Sequence, residues 1–205
     1  MNKNYGGEPL AKNARYRLPY RRRRERKTDY QARRILATSK HPRFVVRTNN
    51  KGVIVQIVKS EIIGDEILIQ ATSKELSSKY GWQASGKNIP AGYLLGYVSG
   101  KKAVNAGIKI AYLDLGLKRP TKGSKVFAVV KGAIDAGLEI PCNTDVVPPP
   151  DRMNGGDIAK YAKEMENPTN YEKQFSSYLR KGIQPETLPE HFEKTKKKIE
   201  ENWAK

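Results

Sequence analysis

The chain has 205 residues, a formal net charge of +18 and 38% hydrophobic residues, enough for one domain with extensions, part of it outside any core. Cys142 is the single cysteine, and His41 and His191 are the only histidines, so an internal disulfide and a zinc finger are excluded by count. No apolar run approaches the ~20 residues of a membrane helix, and the N-terminus lacks the apolar stretch of a secretory signal.

The charge is unevenly spread. Residues 1–40 hold 13 basic and 3 acidic side chains, net +10, and nine of the fourteen arginines. Residues 41–150 hold 15 and 8, and residues 151–205 hold 11 and 10. Residues 1–14 are polar, carry Gly6, Gly7 and Pro9, and read as an extended arm. From Arg15 to Lys27 the chain packs eight cations into thirteen residues: Arg15, Arg17, Arg21, Arg22, Arg23, Arg24, Arg26 and Lys27. Tyr16 and Tyr20 are interleaved among them. Such a segment cannot build a core, and its charges repel one another until a polyanion neutralises them. Arginine's planar fork suits phosphate better than a lysine point charge. The arm therefore predicts a nucleic-acid partner, with phosphate contacts supplying affinity but little sequence information. Tyr16 and Tyr20 either stack on unpaired bases, at ~1–3 kcal/mol per base, or pack beneath the protein body. Residues 21–38 predict a short helix, with Thr28 or Asp29 capping its latter half and Ile35 and Leu36 docking on the body.

The body begins near His41-Pro42. Phe44–Arg47, Val53–Val58 and Ile67–Ala71 are strand-like runs, the first two joined by Asn49-Asn50-Lys51-Gly52, whose Asn and Gly tolerate positive φ. From Ile89 to Ala106 the apolar spacing is helical, with Pro90 in the first turn and Gly107 after the end. Gly92, Gly96 and Gly100, four residues apart, predict close approach of this helix to a strand. Ile108 to Leu115 reads as a strand, Val126 to Ala136 as a helix closed by Gly137, and Leu138 to Pro141 as a short last strand. The order βββαβαβ predicts an α/β sandwich with a mixed sheet. Pro148-Pro149-Pro150 marks a boundary, followed by helices over 157–165, from a capping box at Thr169–Glu172, and after Pro189. This amphipathic tail is expected to pack on the body or a neighbour. The expected division is a basic arm over 1–40, an α/β body over 41–147, and a Pro-rich linker with helical extension over 148–205.

A second basic site lies in the loop 116–125, where Lys118, Arg119, Lys122 and Lys125 sit between a strand and a helix start. Free N–H groups there favour phosphate, with Ser124 as cap and Gly123 permitting close approach. Three enzyme-like signals fail. Gly96 to Lys101 has the wrong spacing for a P-loop, and Lys102 stands where a magnesium-holding Ser or Thr belongs. Asp114 has no acidic companion and reads as a capping or structural carboxylate. Cys142 has no His partner within the αβ unit. An RNA-processing hydrolase built on Asp114 thus lacks its machinery, and a DNA-compacting protein, which needs only charge, leaves the α/β body unexplained.

The run Arg15–Tyr30, Pro42-Arg43-Phe44-Val45-Val46-Arg47, and the block Leu113–Pro141 with Leu-Asp-Leu-Gly and Arg-Pro-Thr-Lys-Gly-Ser-Lys-Val-Phe-Ala resemble the archaeal form of ribosomal large-subunit protein eighteen. The resemblance covers about residues 10–165. It implies a cytoplasmic, non-catalytic, cofactor-free constituent of the large ribosomal subunit, with no membrane or small-molecule partner. It further implies that the chain binds 5S rRNA and helps attach it to the large-subunit rRNA at the central protuberance, beside other ribosomal proteins. The RNA contacts it implies here are the arm from Arg15 to Arg34, including Tyr16, Tyr20, Thr28, Tyr30, Arg33 and Arg34; Arg43 and Arg47 on the first strand; Asn49 and Lys51 in the hairpin; and Lys118, Arg119, Thr121, Lys122, Ser124 and Lys125 in the loop.

Overall fold

The computed structural model describes residues 13–203; most of the extended arm expected over 1–14 lies outside them. Instead of one helix over 21–38 there are two, α1 (Arg21–Arg24) and α2 (Tyr30–Ala37). The break falls where Arg26 takes φ 52°, just after a turn made of four like charges. Asp29, not Thr28, restarts the helix: its Oδ1 accepts from the N–H groups of Gln31 and Ala32 at 2.9 and 3.3 Å. Ile35, expected to dock, is exposed, while Leu36 is half-buried.

Strands β1 (Arg43–Thr48), β2 (Val53–Ser60) and β3 (Asp65–Thr72) form the expected antiparallel meander. Period-two alternation sends Phe44, Val46, Val53, Val55 and Ile57 into the core. The β1–β2 turn does not use positive φ at Asn49, Asn50 or Gly52. Instead Asn49 Oδ1 accepts from the N–H groups of Lys51 and Gly52. Gly52 matters for space, since a methyl there would overlap the Ser73 hydroxyl.

Helix α3 (Ser73–Tyr80) has no counterpart in the sequence reading. Only Leu76 and Tyr80 supply its large buried groups, too few to show a period. Helix α4 (Ile89–Asn105) starts at Asn88, whose side chain accepts from the Ala91 N–H at 2.9 Å. Strand β4 (Tyr112–Asp114) is three residues long and pairs parallel with β1, Phe44 opposite Leu113. The rest of the expected strand 108–115 keeps a single parallel bridge, Ile110 to Glu139, and the expected last strand is reduced to that bridge. Helix α5 (Lys125–Asp135) follows, and Gly137 ends it at φ 106°. The result is an α/β fold with a mixed sheet in the order β3-β2-β1-β4.

Helices α4 and α5 cover the inner face of the sheet and meet each other through glycines. A methyl on Gly96 would overlap the Val129 carbonyl, and one on Gly132 the Tyr93 carbonyl. The glycine row of α4 thus admits a helix rather than the expected strand. Beyond α4 lie α6 (Pro150–Asn154), α7 (Gly156–Glu164), α8 (Pro168–Leu179) and α9 (Leu188–Trp203). Asn167 caps α8 by accepting from the Thr169 N–H, because Pro168 sets its first turn before the expected capping box. Leu188, Phe192 and Ile199 join the core, and the His191 ring stacks on Trp82 at 5.0 Å. The tail therefore packs on the body. No helix among the described residues is long and apolar enough to cross a membrane.

Gly96→Ala should cost about 2–3 kcal/mol, because a close-packed helix pair must separate. Gly107→Ala, at φ 76° in open space, should cost only the backbone term of about 1–2 kcal/mol. Urea denaturation of the two variants checks the order.

Candidate nucleic-acid interface

With Phe44 and Val46 turned inward, Arg43, Val45 and Arg47 must point to the outer face. The arm lies over that face. Arm residues Arg22, Lys27 and Arg33, strand residues Arg43 and Arg47, and loop residue Lys118 all line one cleft of about 610 Å³.

An ion-pair chain fixes this arrangement. Arg43 is only 4% exposed. Its Nη2 is 2.8 Å from Asp65 Oδ2 and its Nη1 3.2 Å from Asp114 Oδ2. Arg33 of α2 reaches the same Asp65 oxygen at 2.8 Å. Arg47 Nη2 is 2.8 Å from Asp114 Oδ1, and its Nη1 donates to the Asp114 carbonyl at 2.7 Å. The Gly116 N–H also donates to Asp114 Oδ1, at 2.8 Å. Three guanidinium groups and two carboxylates thus link α2, β3, β1 and the end of β4. Burial by itself pushes the Asp114 carboxyl up, but the hydrogen bond and charge of Arg47, the Gly116 N–H and the charge of Arg43 together hold it below its ordinary value. At Asp65 burial again acts upward and is outweighed by Arg43 and Arg33.

Every arginine from Arg15 to Arg34 is exposed. Glu25 engages Lys27 at 2.7 Å and Arg21 at 3.9 Å, which leaves the stretch strongly cationic. Tyr20 is 77% exposed and tilts against Tyr30 at 5.5 Å, while Tyr16 is half-buried. Thr28 is half-buried at the break between α1 and α2.

The loop after β4 meets the arm and the hairpin. Leu117 lines a shallow cleft with Arg23, Arg26 and Arg34. Lys118 Nζ donates to the Thr48 carbonyl at 3.0 Å and to its hydroxyl, next to the exposed Asn49 and Lys51. Arg119, Thr121 and Lys122 are exposed. Ser124 stands at the N-cap of α5, but its hydroxyl makes no capping bond. Burial pushes the Lys125 amine down, and the nearby charges of Lys118 and Lys87 add to this. Arg152 Nη1 lies 3.7 Å from where a Gly123 side chain would begin. Lys87 and Arg152 thus join the loop cluster. Sequence reasoning missed both, since one sits in an inter-helix loop and the other on a five-residue helix, with no local pattern to mark them.

The clefts bring arm residues from Arg22 to Arg34 together with Arg43, Arg47 and the start of the basic loop at Lys118, and these candidates differ in kind. Arg43 is buried and committed internally, Arg33 and Arg47 are paired with Asp65 and Asp114, and the remaining arm arginines, Arg119 and Lys122 are exposed. Asp114 is a structural carboxylate held by two arginines. No group of three His, Cys, Asp or Glu side chains able to hold a metal occurs among the described residues.

The family model for ribosomal large-subunit proteins 60S L5 and 50S L18 matches residues 14–108 and 105–143. The chain belongs to this family. Three relatives named large ribosomal subunit protein uL18 are similar over nearly their whole length. The one from Caldivirga maquilingensis is 48% identical over 198 residues, 96% of each chain. That from Thermofilum pendens is 50% identical over 194 residues, 94% of this chain and 98% of the relative. That from Ignicoccus hospitalis is 47% identical over 196 residues, 95% and 96%. Members of this family are structural, non-enzymatic components of the large ribosomal subunit, and this chain is one of the archaeal type. The locked Asp114 accords with that role.

Asp114→Asn should destabilise the fold by about 3 kcal/mol, because it removes one of the two carboxylates that compensate buried Arg43 and the carboxylate paired with Arg47. The Asp114 and Asp65 carboxyls are both depressed in the fold. Their stabilisation is therefore complete above their ordinary value of 3.8 and is lost as pH falls through the lower folded values. Urea midpoints between pH 2.5 and 6 should fall steeply at the acid end for the wild-type chain and less steeply for Asp114→Asn.

Proposed function

We propose that this chain binds 5S rRNA and helps attach it to the large-subunit rRNA at the central protuberance, where neighbouring ribosomal proteins also meet it. The supporting observation is that exposed arm arginines lie beside the start of the basic loop, at Leu117 and Lys118, in a large-subunit protein. Residues 1–40 act as an RNA-binding arm, 41–147 as the α/β body that carries the second basic site, and 148–205 as an extension buttressing the body. Contacts run through the arm from Arg15 to Arg34, through Arg47, Asn49 and Lys51, and through Lys118, Arg119, Thr121, Lys122, Ser124 and Lys125. Arg43 serves by holding Asp65 and Asp114, and through Asp65 it places α2.

Two basic elements held at a fixed spacing suit RNA better than a free polycation. An RNA helix hides its major-groove edges, so a protein reads it by shape, 2′-hydroxyls and unpaired loops. Each phosphate neutralised releases counterions and steepens the salt dependence. Tyr20, with much of its ring open to solvent, is the better placed of the two tyrosines for stacking on a base.

Replacing Arg21, Arg22, Arg23 and Arg24 with Gln should weaken 5S rRNA binding by at least tenfold at 150 mM salt and flatten the slope of log K against log salt. Titrations at several salt concentrations check this, and an unchanged affinity and slope would remove the arm from the interface.

A further inference from the structure

The hairpin joining β2 to β3 ends in Glu61-Ile62-Ile63-Gly64. It is closed by the Glu61 N–H donating to the Gly64 carbonyl at 3.0 Å and the Gly64 N–H donating to the Glu61 carbonyl at 3.2 Å. Ile62 and Ile63 are 104% and 103% exposed, beyond every other large hydrophobic side chain among the described residues. Nothing in the fold calls for them. Turns favour Gly, Asn, Asp, Ser and Pro, and the two isoleucines bury no surface here. Two adjacent apolar side chains at a protruding tip mark a contact site.

The charge around them narrows the partner. Residues 59–66 carry Lys59 against Glu61, Asp65 and Glu66, an acidic stretch in a chain of net charge +18. Lys59 is taken by Glu61 at 2.7 Å, and Asp65 by Arg33 and Arg43. Among the described residues Glu66 is left as the uncommitted charge at the tip, and the hairpin end offers no free cation to a phosphate backbone. A second copy of the chain would bring the same acidic tip to the contact.

We propose that Ile62 and Ile63 form a docking knob for a neighbouring protein of the large subunit, one whose surface offers an apolar pocket rimmed by Lys or Arg. The isoleucines fill the pocket, and Glu66 meets the basic rim and sets its orientation. Burying either isoleucine strengthens docking by on the order of tenfold or more. The knob thus adds a protein contact to a chain otherwise read through its RNA contacts. The inference rests on membership in the large subunit, not on 5S rRNA as the ligand.

The test uses the full-length chain in reconstituted large subunits. A photoreactive p-benzoylphenylalanine at position 63 is irradiated, with the same group at exposed Glu164 as control. The expected product is an adduct to one ribosomal protein, at a peptide with apolar residues flanked by Lys or Arg. The double variant Ile62→Asp, Ile63→Asp, mixed with wild-type chain, should enter subunits at least tenfold less well. Its 5S rRNA affinity should stay within twofold. An adduct to rRNA, an adduct to a second copy, no adduct above the Glu164 control, or equal entry of the double variant would each overturn the proposal. Loss of 5S rRNA binding by the wild-type chain would instead count against the proposed function.

Discussion

A guanidinium buried in the sheet is the constraint on which the outer face depends. Arg43 sits on β1 between two carboxylates that come from different places in the chain, Asp65 at the start of β3 and Asp114 at the end of β4. Burying one such charge without partners would be prohibitive. With both carboxylates in place it ties β3 to β4 across β2 and β1. Each carboxylate then extends the network outward, Asp65 to Arg33 of the arm and Asp114 to Arg47 and the backbone of the basic loop. The spacing between arm and loop is thus set by a network centred on Arg43, Asp65 and Asp114.

The two faces of the sheet divide the work. The inner face is apolar, closed by two helices so near each other that glycines are required at their contact. Behind them the C-terminal helices add Leu188, Phe192 and Ile199 to the same core. The outer face is ionic and carries the arm. The close-packed inner side fixes the strands that carry the outer ionic network.

The sequence made some of this plain and hid the rest for physical reasons. The strands, α4, α5 and the basic stretches were visible because alternation, helical spacing and charge density are local properties. Helix α3 was invisible because only Leu76 and Tyr80 give it large buried groups. The strands expected over 108–115 and 138–141 were overestimated. An apolar run reports burial, but pairing depends on which neighbour is within reach, and Ile110 and Glu139 find only each other. Asp114 looked solitary because its companions are cations far away in sequence. Lys87 and Arg152 reach the basic loop only through the tertiary fold.

The pairing of β1 with β4 gives the chain a birth order. Arg43 and Asp114 are 71 positions apart, so a ribosome making this protein releases the cationic arm and β1 well before the second carboxylate exists. Until β4 emerges Arg43 has only Asp65, and Arg47 lacks the carboxylate that holds it in the finished fold. Closing that long loop is a late entropic step. Maturation of the outer face is therefore tied to the synthesis of residues near the middle of the chain, long after the arm itself has been made.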